Sequence, residues 1–182
     1  MEFRAVILAA GESRRMGAQK LLMPYRGRPM IEHALEAARR WKPVIVAGAQ
    51  VAGHVRAMNA DVVLNESPQR GMTHSLALAN AQIPENAALI VLLGDKPLVT
   101  PQLIEQIAGA LGDADVVFPV HPRTREPGHP VIFSPRARER IPLLPDADAL
   151  RTLRDDPALV RREIATEDRG AYFDIDTADT IA

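Results

Sequence analysis

The chain has 182 residues, of which 47% are hydrophobic and 25% charged, a formal net charge of −1 and no cysteine. This length fits one domain with a substantial core, and the lack of cysteine excludes disulfides, thiolate metal sites and a cysteine nucleophile. The balanced charge argues against nucleic-acid binding, which needs a broad basic surface. No apolar run is long enough for a membrane span. We therefore expect a cytoplasmic monomer that binds neither nucleic acid nor a membrane.

The first predicted element is a buried strand over residues 3–10, which leads into a cationic, glycine-bearing loop. Such a loop lets backbone N–H groups approach a polyphosphate, and basic side chains supply the counter-charge. The spacing excludes a P-loop, because Gly17 and Lys20 are not adjacent. It also excludes the three-glycine dinucleotide fingerprint, because Ser13 and Met16 occupy the second and third glycine places. The loop therefore predicts a polyphosphate pocket of another kind.

Strands and helices are then predicted to alternate along the chain. The hydrophobic periodicity predicts helices over residues 30–41, 51–58, 72–81 and 101–111, and strands over residues 44–47, 61–64, 88–93 and 115–119. This alternation is typical of a mostly parallel sheet with helices on both faces. We expect a single Rossmann-like, three-layer α/β/α domain over residues 1–182.

The amino-acid composition changes at residue 120, after which prolines become frequent. We expect residues 120–155 to form a substrate-facing lobe within the domain, with a short strand at residues 131–133 and short helices at 136–141 and 148–154. The arginines of the first of these helices are expected to be a solvated surface: Arg136, Arg138 and Arg140. Residues 160–164 and 173–176 are expected to return to the sheet.

Polar residues that follow buried strands are candidates for a site, because ligands of open α/β sheets lie beyond the carboxyl ends of the strands. Asp95 lies two residues after the strand at residues 88–93, where a carboxylate is well placed to hold Mg²⁺ together with phosphate oxygens. The alternative is an ordinary turn aspartate. Near the end of the chain, Asp174 and Asp176 would share one face of a strand, and Asp176 could instead cap a terminal helix.

The opening motif resembles that of a known family. Residues 8–20 match the pattern LAAGxSxRMGxxK without a gap, and this pattern is similar to that of the MobA-like nucleotidyltransferases, which include the molybdenum cofactor cytidylyltransferases and guanylyltransferases. The resemblance implies the fold of the nucleotide-diphospho-sugar transferase type and a bound nucleoside triphosphate. It assigns Arg15 and Lys20 to the phosphates, with a catalytic role, and places the nucleotide against Leu8, Ala9, Ala10 and Gly11.

Further segments are similar to the same family and extend the resemblance over nearly the whole chain. Gly94-Asp95 resembles a GDxP motif, whose glycine contacts the nucleotide and whose aspartate binds the metal and is catalytic. The DIDT segment is similar to the end of the family's domain and implies Asp176 as a second metal ligand. The segment with Gly71 and Ser75 implies contact with the nucleotide base. Substrate contacts are implied for Gly128, His129 and Pro130, in a GHPV motif. Lys96 is a departure from the usual Met or Gln, and we expect it either to repel the metal or to bind substrate.

The implied function is Mg²⁺-dependent nucleotidyl transfer. The LAAG form of the motif resembles the cytidylyltransferase branch, whereas guanylyltransferases usually have an LAGG-like form, so CTP is favoured over GTP and the implied acceptor is molybdopterin. Residues 146–151 lack the glycines of the usual GDxGAR-like stretch, which keeps a guanylyltransferase, or an enzyme acting on another phosphorylated acceptor, as an alternative. A non-catalytic carrier that delivers the cofactor to a molybdenum hydroxylase is a third interpretation.

Overall fold

Seven strands form one sheet in the computed structural model, which describes residues 1–11, 19–145 and 149–175. The strands follow the order β5-β4-β1-β6-β8-β7-β9, and β2 and β3 form a separate hairpin. The neighbours within β5-β4-β1-β6 are parallel, as are β7 and β9, whereas β8 runs antiparallel to both β6 and β7. The strands are β1 (Phe3–Ala9), β2 (Pro24–Tyr25), β3 (Arg28–Pro29), β4 (Val44–Ala47), β5 (Asp61–Leu64), β6 (Ala88–Leu93), β7 (Val116–Val120), β8 (Val131–Phe133) and β9 (Arg161–Ala165).

Six α-helices of the described part of the chain cover the two faces of the sheet. They are α1 (Met30–Ala38), α2 (Ala49–Arg56), α3 (Met72–Asn80), α4 (Pro101–Gly109), α5 (Pro135–Arg138) and α6 (Ala149–Arg154). Buried residues of α1, α2 and α4 belong to one apolar cluster, and those of α3, α5 and α6 belong to a second cluster on the opposite face. The predicted three-layer α/β/α arrangement is therefore confirmed. Within the described residues, no helix combines the length and the apolar character that a membrane crossing requires.

The central strand β1 is apolar almost throughout because both of its faces are buried. Ala5, Ile7 and Ala9 pack into the cluster with α1, while Val6 and Leu8 pack into the cluster with α3. Successive side chains of a strand point to opposite faces, so a strand covered on both faces needs an apolar residue at every position. The same holds for β6, whose residues 88–92 are completely buried.

The predicted helices and strands up to residue 120 are confirmed, with boundaries that shift by a few residues. Two expectations for the later part are wrong. Residues 173–175 are not in a strand, so the alternation inferred for Asp174 and Asp176 does not apply; Asp176 lies outside the described residues. The chain still returns to the sheet there, because the Ile175 N–H donates to the Asp95 carbonyl at 3.4 Å.

The expectation of a solvated arginine run at residues 136–140 holds for Arg136, whose side chain is 63% exposed, and is wrong for Arg138. Arg138 is 4% exposed, because its guanidinium donates to the carbonyls of residues 80, 83, 84 and 87 and to the Asn80 side chain. Arg136 donates to the buried Asp115 carboxylate, and Arg140 pairs with Asp156. Arg138 is therefore an interior residue, whereas Arg136 and Arg140 are partly solvated side chains that pair with carboxylates.

The strand directions determine which loops meet at one edge. β1, β4, β5, β6 and β7 all end at the same edge, which we call the carboxyl edge, because β8 is antiparallel to both β6 and β7. Residues 121–130 connect β7 to β8 at this edge. The following segment, which contains α5, begins at the opposite edge. The substrate-facing role of residues 120–155 stays a prediction, and within that range residues 121–130 are the part that lies at the carboxyl edge.

Candidate active site

Lys20 and Asp95 form an ion pair at the carboxyl edge. The Lys20 Nζ lies 3.1 Å from the Asp95 Oδ2, and the two side chains are 15% and 26% exposed. Lys20 begins a 3-10 turn over residues 20–22, and Asp95 stands two residues after β6. The structure thus brings together two predicted site residues that are 75 positions apart in the sequence.

The packing around Gly94 explains how this pair is held. A Cβ atom on Gly94 would lie 3.0 Å from the Ile31 Cδ1, 3.2 Å from the Leu21 Cδ1 and 3.4 Å from the Ala9 Cβ. The Gly94 N–H also donates to the Leu8 carbonyl at 3.0 Å. Glycine therefore lets the segment after β6 press against Leu21, the neighbour of Lys20 in sequence. This close approach positions the lysine beside the aspartate.

The end of β1 presents backbone to the same edge. Leu8, Ala9 and Ala10 are at most 9% exposed. Gly11 is exposed, and a side chain there would meet none of the described residues within 4 Å. Buried side chains with an exposed glycine beyond them suit ligand contact through the main chain. Their predicted contacts with a nucleotide stay predictions. Arg15, the other predicted phosphate-binding residue, lies outside the described residues.

A second part of the edge is built from Asn65, Gly71 and Ser75. The Asn65 Nδ2 donates to the Ser75 Oγ at 2.9 Å, and its Oδ1 accepts from the Ser67 N–H at 2.8 Å. Gly71 has a φ of +86° and precedes α3, which has no side-chain cap. An uncapped helix N-terminus offers N–H groups to a polar ligand. The buried Ser75 hydroxyl is therefore engaged with Asn65, and its predicted contact with the nucleotide base remains a prediction.

Residues 168–175, which we call the C-terminal segment, cross the edge beside Asp95. The Lys96 Nζ donates to the Tyr172 carbonyl at 3.1 Å, and Ile175 is bonded to the Asp95 carbonyl. The Tyr172 hydroxyl donates back to the Thr166 carbonyl at 3.0 Å, and burial raises the pKa of this phenol to about 12. The segment is thus held at Tyr172 and at Ile175, and Lys96 is one of its anchors.

The predicted substrate motif Gly128-His129-Pro130 packs against the C-terminal segment. The His129 N–H donates to the Ala171 carbonyl at 2.9 Å, and the Gly128 N–H donates to the Pro119 carbonyl at 2.8 Å. A Cβ atom on Gly128 would lie only 2.7 Å from the Ala171 oxygen. The His129–Pro130 peptide bond is cis. Three distant stretches of chain, 94–97, 128–130 and 168–175, therefore meet at one place.

His129 is a neutral imidazole within this junction. Burial, with smaller contributions from the positive charges of Lys96 and Arg154, lowers its pKa to about 3. The His129 Nδ1 is a buried polar atom without a hydrogen-bond partner among the described residues. A buried polar atom of this kind calls for a partner from a ligand or a water molecule.

The donor chemistry of the edge fits a metal shared with substrate. Among residues 1–11, 19–145 and 149–175, no group of three or more His, Cys, Asp or Glu side chains is placed to hold a metal ion. Mg²⁺ commonly takes only one or two carboxylates and completes its shell with phosphate oxygens and water. Asp95 fits a metal ion that is shared between one protein carboxylate and substrate phosphates, and it does not fit a site in which protein side chains supply every ligand. Asp176, the other predicted ligand, lies outside the described residues.

The sequence predicted the polar residues at the strand ends but not the hydrogen bonds that hold their surroundings in place. It did not identify the Asn65–Ser75 hydrogen bond or the anchoring of Lys96 on Tyr172. An asparagine directly after β5 was the available signal for the first. Nothing in the sequence pattern signals the second, because its acceptor is a main-chain carbonyl 76 residues away.

Comparison with known families matches residues 5–163 to the MobA-like NTP transferase domain. Among curated proteins, the bifunctional protein GlmU of Alkalilimnicola ehrlichii is 38% identical over 125 residues, which are 63% of this chain and 27% of GlmU. The chain thus spans about a quarter of the length of the curated relatives it matches.

Solved structures match this chain over 91% of its length or more. Rv0371c of Mycobacterium tuberculosis H37Rv superposes with a TM-score of 0.85 at 28% identity, over 98% of this chain and 94% of that chain. A second structure of Rv0371c is a complex with manganese, with a TM-score of 0.75 at 26% identity over 91% and 89% of the two chains. The molybdopterin-guanine dinucleotide biosynthesis protein A of Archaeoglobus fulgidus shares the fold, with a TM-score of 0.72 at 18% identity over 98% and 95%. The predicted nucleotide-diphospho-sugar transferase type of fold is confirmed.

Proposed function

The chain belongs to the MobA-like NTP transferase family, and from this premise we propose that it is a Mg²⁺-dependent nucleotidyltransferase that transfers CMP from CTP to the phosphate of molybdopterin. The observation that carries the proposal is the Lys20–Asp95 pair, 3.1 Å apart at the carboxyl edge. A cation for phosphates and a carboxylate for a metal are the two groups that phosphoryl chemistry needs most. They stand where open α/β sheets bind ligands.

The proposed reaction is a displacement at the α-phosphorus of the nucleoside triphosphate. An oxygen of the acceptor phosphate forms a bond to that phosphorus, the bond to the oxygen that bridges to the β-phosphorus breaks, and pyrophosphate leaves with the bonding electrons. The attacking phosphate is already ionised near neutral pH, so the site needs no general base. This suits an edge whose described side chains include a cation and a carboxylate in contact.

Catalysis then depends on alignment and on charge neutralisation. The Lys20 ammonium is placed to stabilise negative charge on the leaving pyrophosphate, and we assign Arg15 the same role. Asp95, with Asp176, would hold the metal. When bound, Mg²⁺ neutralises phosphate charge and orients the triphosphate. The Lys20–Asp95 contact keeps both charges in place until substrate provides their partners.

The choice of CTP and molybdopterin rests on sequence motifs. Residues 8–11 read LAAG, as in the cytidylyltransferase branch, and residues 128–131 read GHPV. A second candidate is transfer to another phosphorylated acceptor. It is favoured by the altered residues 146–151 and by the 38% identity with GlmU.

The decisive experiment measures pyrophosphate release with molybdopterin and each of CTP, GTP, ATP and UTP in the presence of Mg²⁺. We expect turnover with CTP. Turnover with GTP alone would replace the cytidylyltransferase by a guanylyltransferase, and the absence of turnover with all four nucleotides would refute the molybdopterin acceptor. A panel of sugar phosphates in place of molybdopterin then tests the second candidate.

A variant separates the enzyme from a non-catalytic carrier that passes the cofactor to a molybdenum hydroxylase. Asp95→Ala should abolish pyrophosphate release while nucleotide binding, followed by thermal shift, is retained. Glu36→Ala, which removes an exposed carboxylate on α1, is the matched control and should behave as wild type. Undiminished maturation of a molybdenum hydroxylase by Asp95→Ala would favour the carrier.

A further inference from the structure

The Lys20 ammonium already contacts the carboxylate that is proposed to hold the metal. Its Nζ donates to the Asp95 Oδ2 at 3.1 Å, and the two side chains are only 15% and 26% exposed. Salt screens a partly buried pair less than an exposed one, so we expect the contact to persist at physiological ionic strength. Lys20 and a divalent cation carry like charge, and like charges beside one carboxylate repel each other. The ammonium therefore opposes metal binding at Asp95 for as long as it stays there.

Lys96, the residue after Asp95, does not form this contact. Its ammonium donates to the Tyr172 carbonyl at 3.1 Å. Among the described cations, Lys20 is the one that is paired with Asp95. Substitutions at position 20 therefore test the contact directly.

The backbone is fixed on both sides of the pair. The 3-10 turn that begins at Lys20 is closed by a bond of 3.0 Å from the Met23 N–H to the Lys20 carbonyl, and Leu21 is 6% exposed. The Asp95 carbonyl accepts from the Ile175 N–H at 3.4 Å. A lysine side chain, in contrast, is a flexible four-carbon stem with a compact charge at its end. The ammonium can therefore move from the carboxylate to a nearby phosphate oxygen while both backbones stay in place.

We propose that the Lys20–Asp95 pair couples metal binding to polyphosphate binding. Without a ligand, Lys20 holds the Asp95 carboxylate and weakens its affinity for a divalent cation. A polyphosphate draws the ammonium to its own oxygens and so leaves the carboxylate to the metal. Each ligand then tightens the binding of the other by the same factor, because coupling between two sites is reciprocal. The identity of the two ligands rests on the proposed function.

The first test is a calorimetric titration with Mn²⁺ alone, without nucleotide or acceptor. Lys20→Met should bind Mn²⁺ about 5- to 150-fold more tightly than wild type, the usual range of coupling between two sites. Lys20→Arg keeps the charge and should bind Mn²⁺ no more tightly than wild type. Lys42→Met is the matched control and should behave as wild type, because Lys42 is exposed and precedes β4 at the opposite edge. The proposal is overturned if Lys20→Met binds Mn²⁺ no more tightly than wild type, whether binding is weak or undetectable in both.

The second test examines the same coupling from the other side, with inorganic tripolyphosphate in the presence of EDTA. Asp95→Asn should bind tripolyphosphate about 5- to 150-fold more tightly than wild type, because no carboxylate competes for the ammonium. Glu36→Gln, which neutralises an exposed carboxylate on α1, is the matched control and should leave the affinity unchanged. If Asp95→Asn binds tripolyphosphate no more tightly than wild type does, Asp95 does not compete for Lys20 and the proposal is wrong.

The sign of each change separates coupling from a structural role. Lys20→Met should tighten Mn²⁺ binding and weaken tripolyphosphate binding, whereas a lysine that only supports the fold would weaken both when it is replaced. Loss of both affinities would therefore contradict the coupling. Neither titration contains CTP or molybdopterin. If no nucleotide supports turnover, the proposed function fails, and the two titrations still decide whether Lys20 and Asp95 couple their ligands.

Discussion

Replacing Gly128 by alanine tests the junction between the GHPV motif and the C-terminal segment. The new Cβ would lie 2.7 Å from the Ala171 oxygen, 2.8 Å from the Tyr172 Cε1 and 3.0 Å from the Ala171 Cβ. None of these atoms is the free end of a flexible side chain. The Ala171 oxygen accepts from the His129 N–H, and the Tyr172 ring is tethered by its hydroxyl to Thr166.

The cost follows from this geometry. Forcing one extra methyl group into a packed site costs about 1 to 3 kcal/mol, and the lower entropy of the unfolded alanine chain offsets about 0.4 to 1 kcal/mol of that. We expect Gly128→Ala to lower the free energy of unfolding by about 1 to 2 kcal/mol. For a domain of this size the melting temperature should fall by about 2 to 8 °C.

Urea denaturation and thermal melting of the purified variant measure this loss. Gly53→Ala is the control, because Gly53 lies inside α2 and a Cβ there meets nothing within 4 Å. That change should stabilise the protein by about 0.5 to 1 kcal/mol. If Gly128→Ala melts at or above the wild-type temperature, the close contact between residue 128 and the C-terminal segment does not exist.

Three further predictions concern charge. Lys20→Met should reduce the rate constant for pyrophosphate release by about 100- to 1,000-fold, while the control Lys42→Met should leave it unchanged. Equal rate constants in the two variants would show that Lys20 has no role in catalysis. Arg138→Leu should lower the free energy of unfolding in urea by about 2 to 4 kcal/mol, because several buried carbonyls lose their donor, whereas the exposed Arg56→Leu should stay within about 0.5 kcal/mol of wild type. Burial lowers the pKa of His129 from 6.5 to about 3 in the folded protein. Between these two pH values the imidazole binds a proton in the unfolded chain and not in the folded one. The free energy of unfolding of wild type should therefore fall as the pH falls from 6.5 towards 3. That loss approaches at most about 1.4 kcal/mol per pH unit and should be absent in His129→Gln; parallel pH profiles of the two proteins would contradict it.

The alternation of strands and helices could be predicted because burial on both faces leaves a strong apolar signal. β1 and β6 are apolar at nearly every position, and the rule that ligands lie beyond strand ends then directed attention to Lys20 and Asp95. The position of β8 could not be predicted in the same way. A strand of three residues carries no information about its direction or its neighbours.

Side-chain partners that are carbonyl groups also escape sequence reasoning. Apart from the Asn80 side chain, the partners of Arg138 among the described residues are main-chain oxygens more than 50 residues earlier in the chain, and every residue has such an oxygen. Lys96 on Tyr172 is the same case. The chemical type of the site could therefore be predicted from residue types and spacing, whereas its supports depend on the three-dimensional course of the backbone.

The order of the strands has a kinetic consequence. β4 pairs Val44 with Asp61 of β5, β8 pairs Val131 with Val91 of β6, and β1 pairs Phe3 with Ala88 of β6. These contacts close loops of roughly 17, 40 and 85 residues, and closing longer loops slows folding. We expect β4 and β5 to pair early and the central β1–β6 ladder to be completed late, which makes the place where Lys20 meets Asp95 among the last regions of the protein to mature.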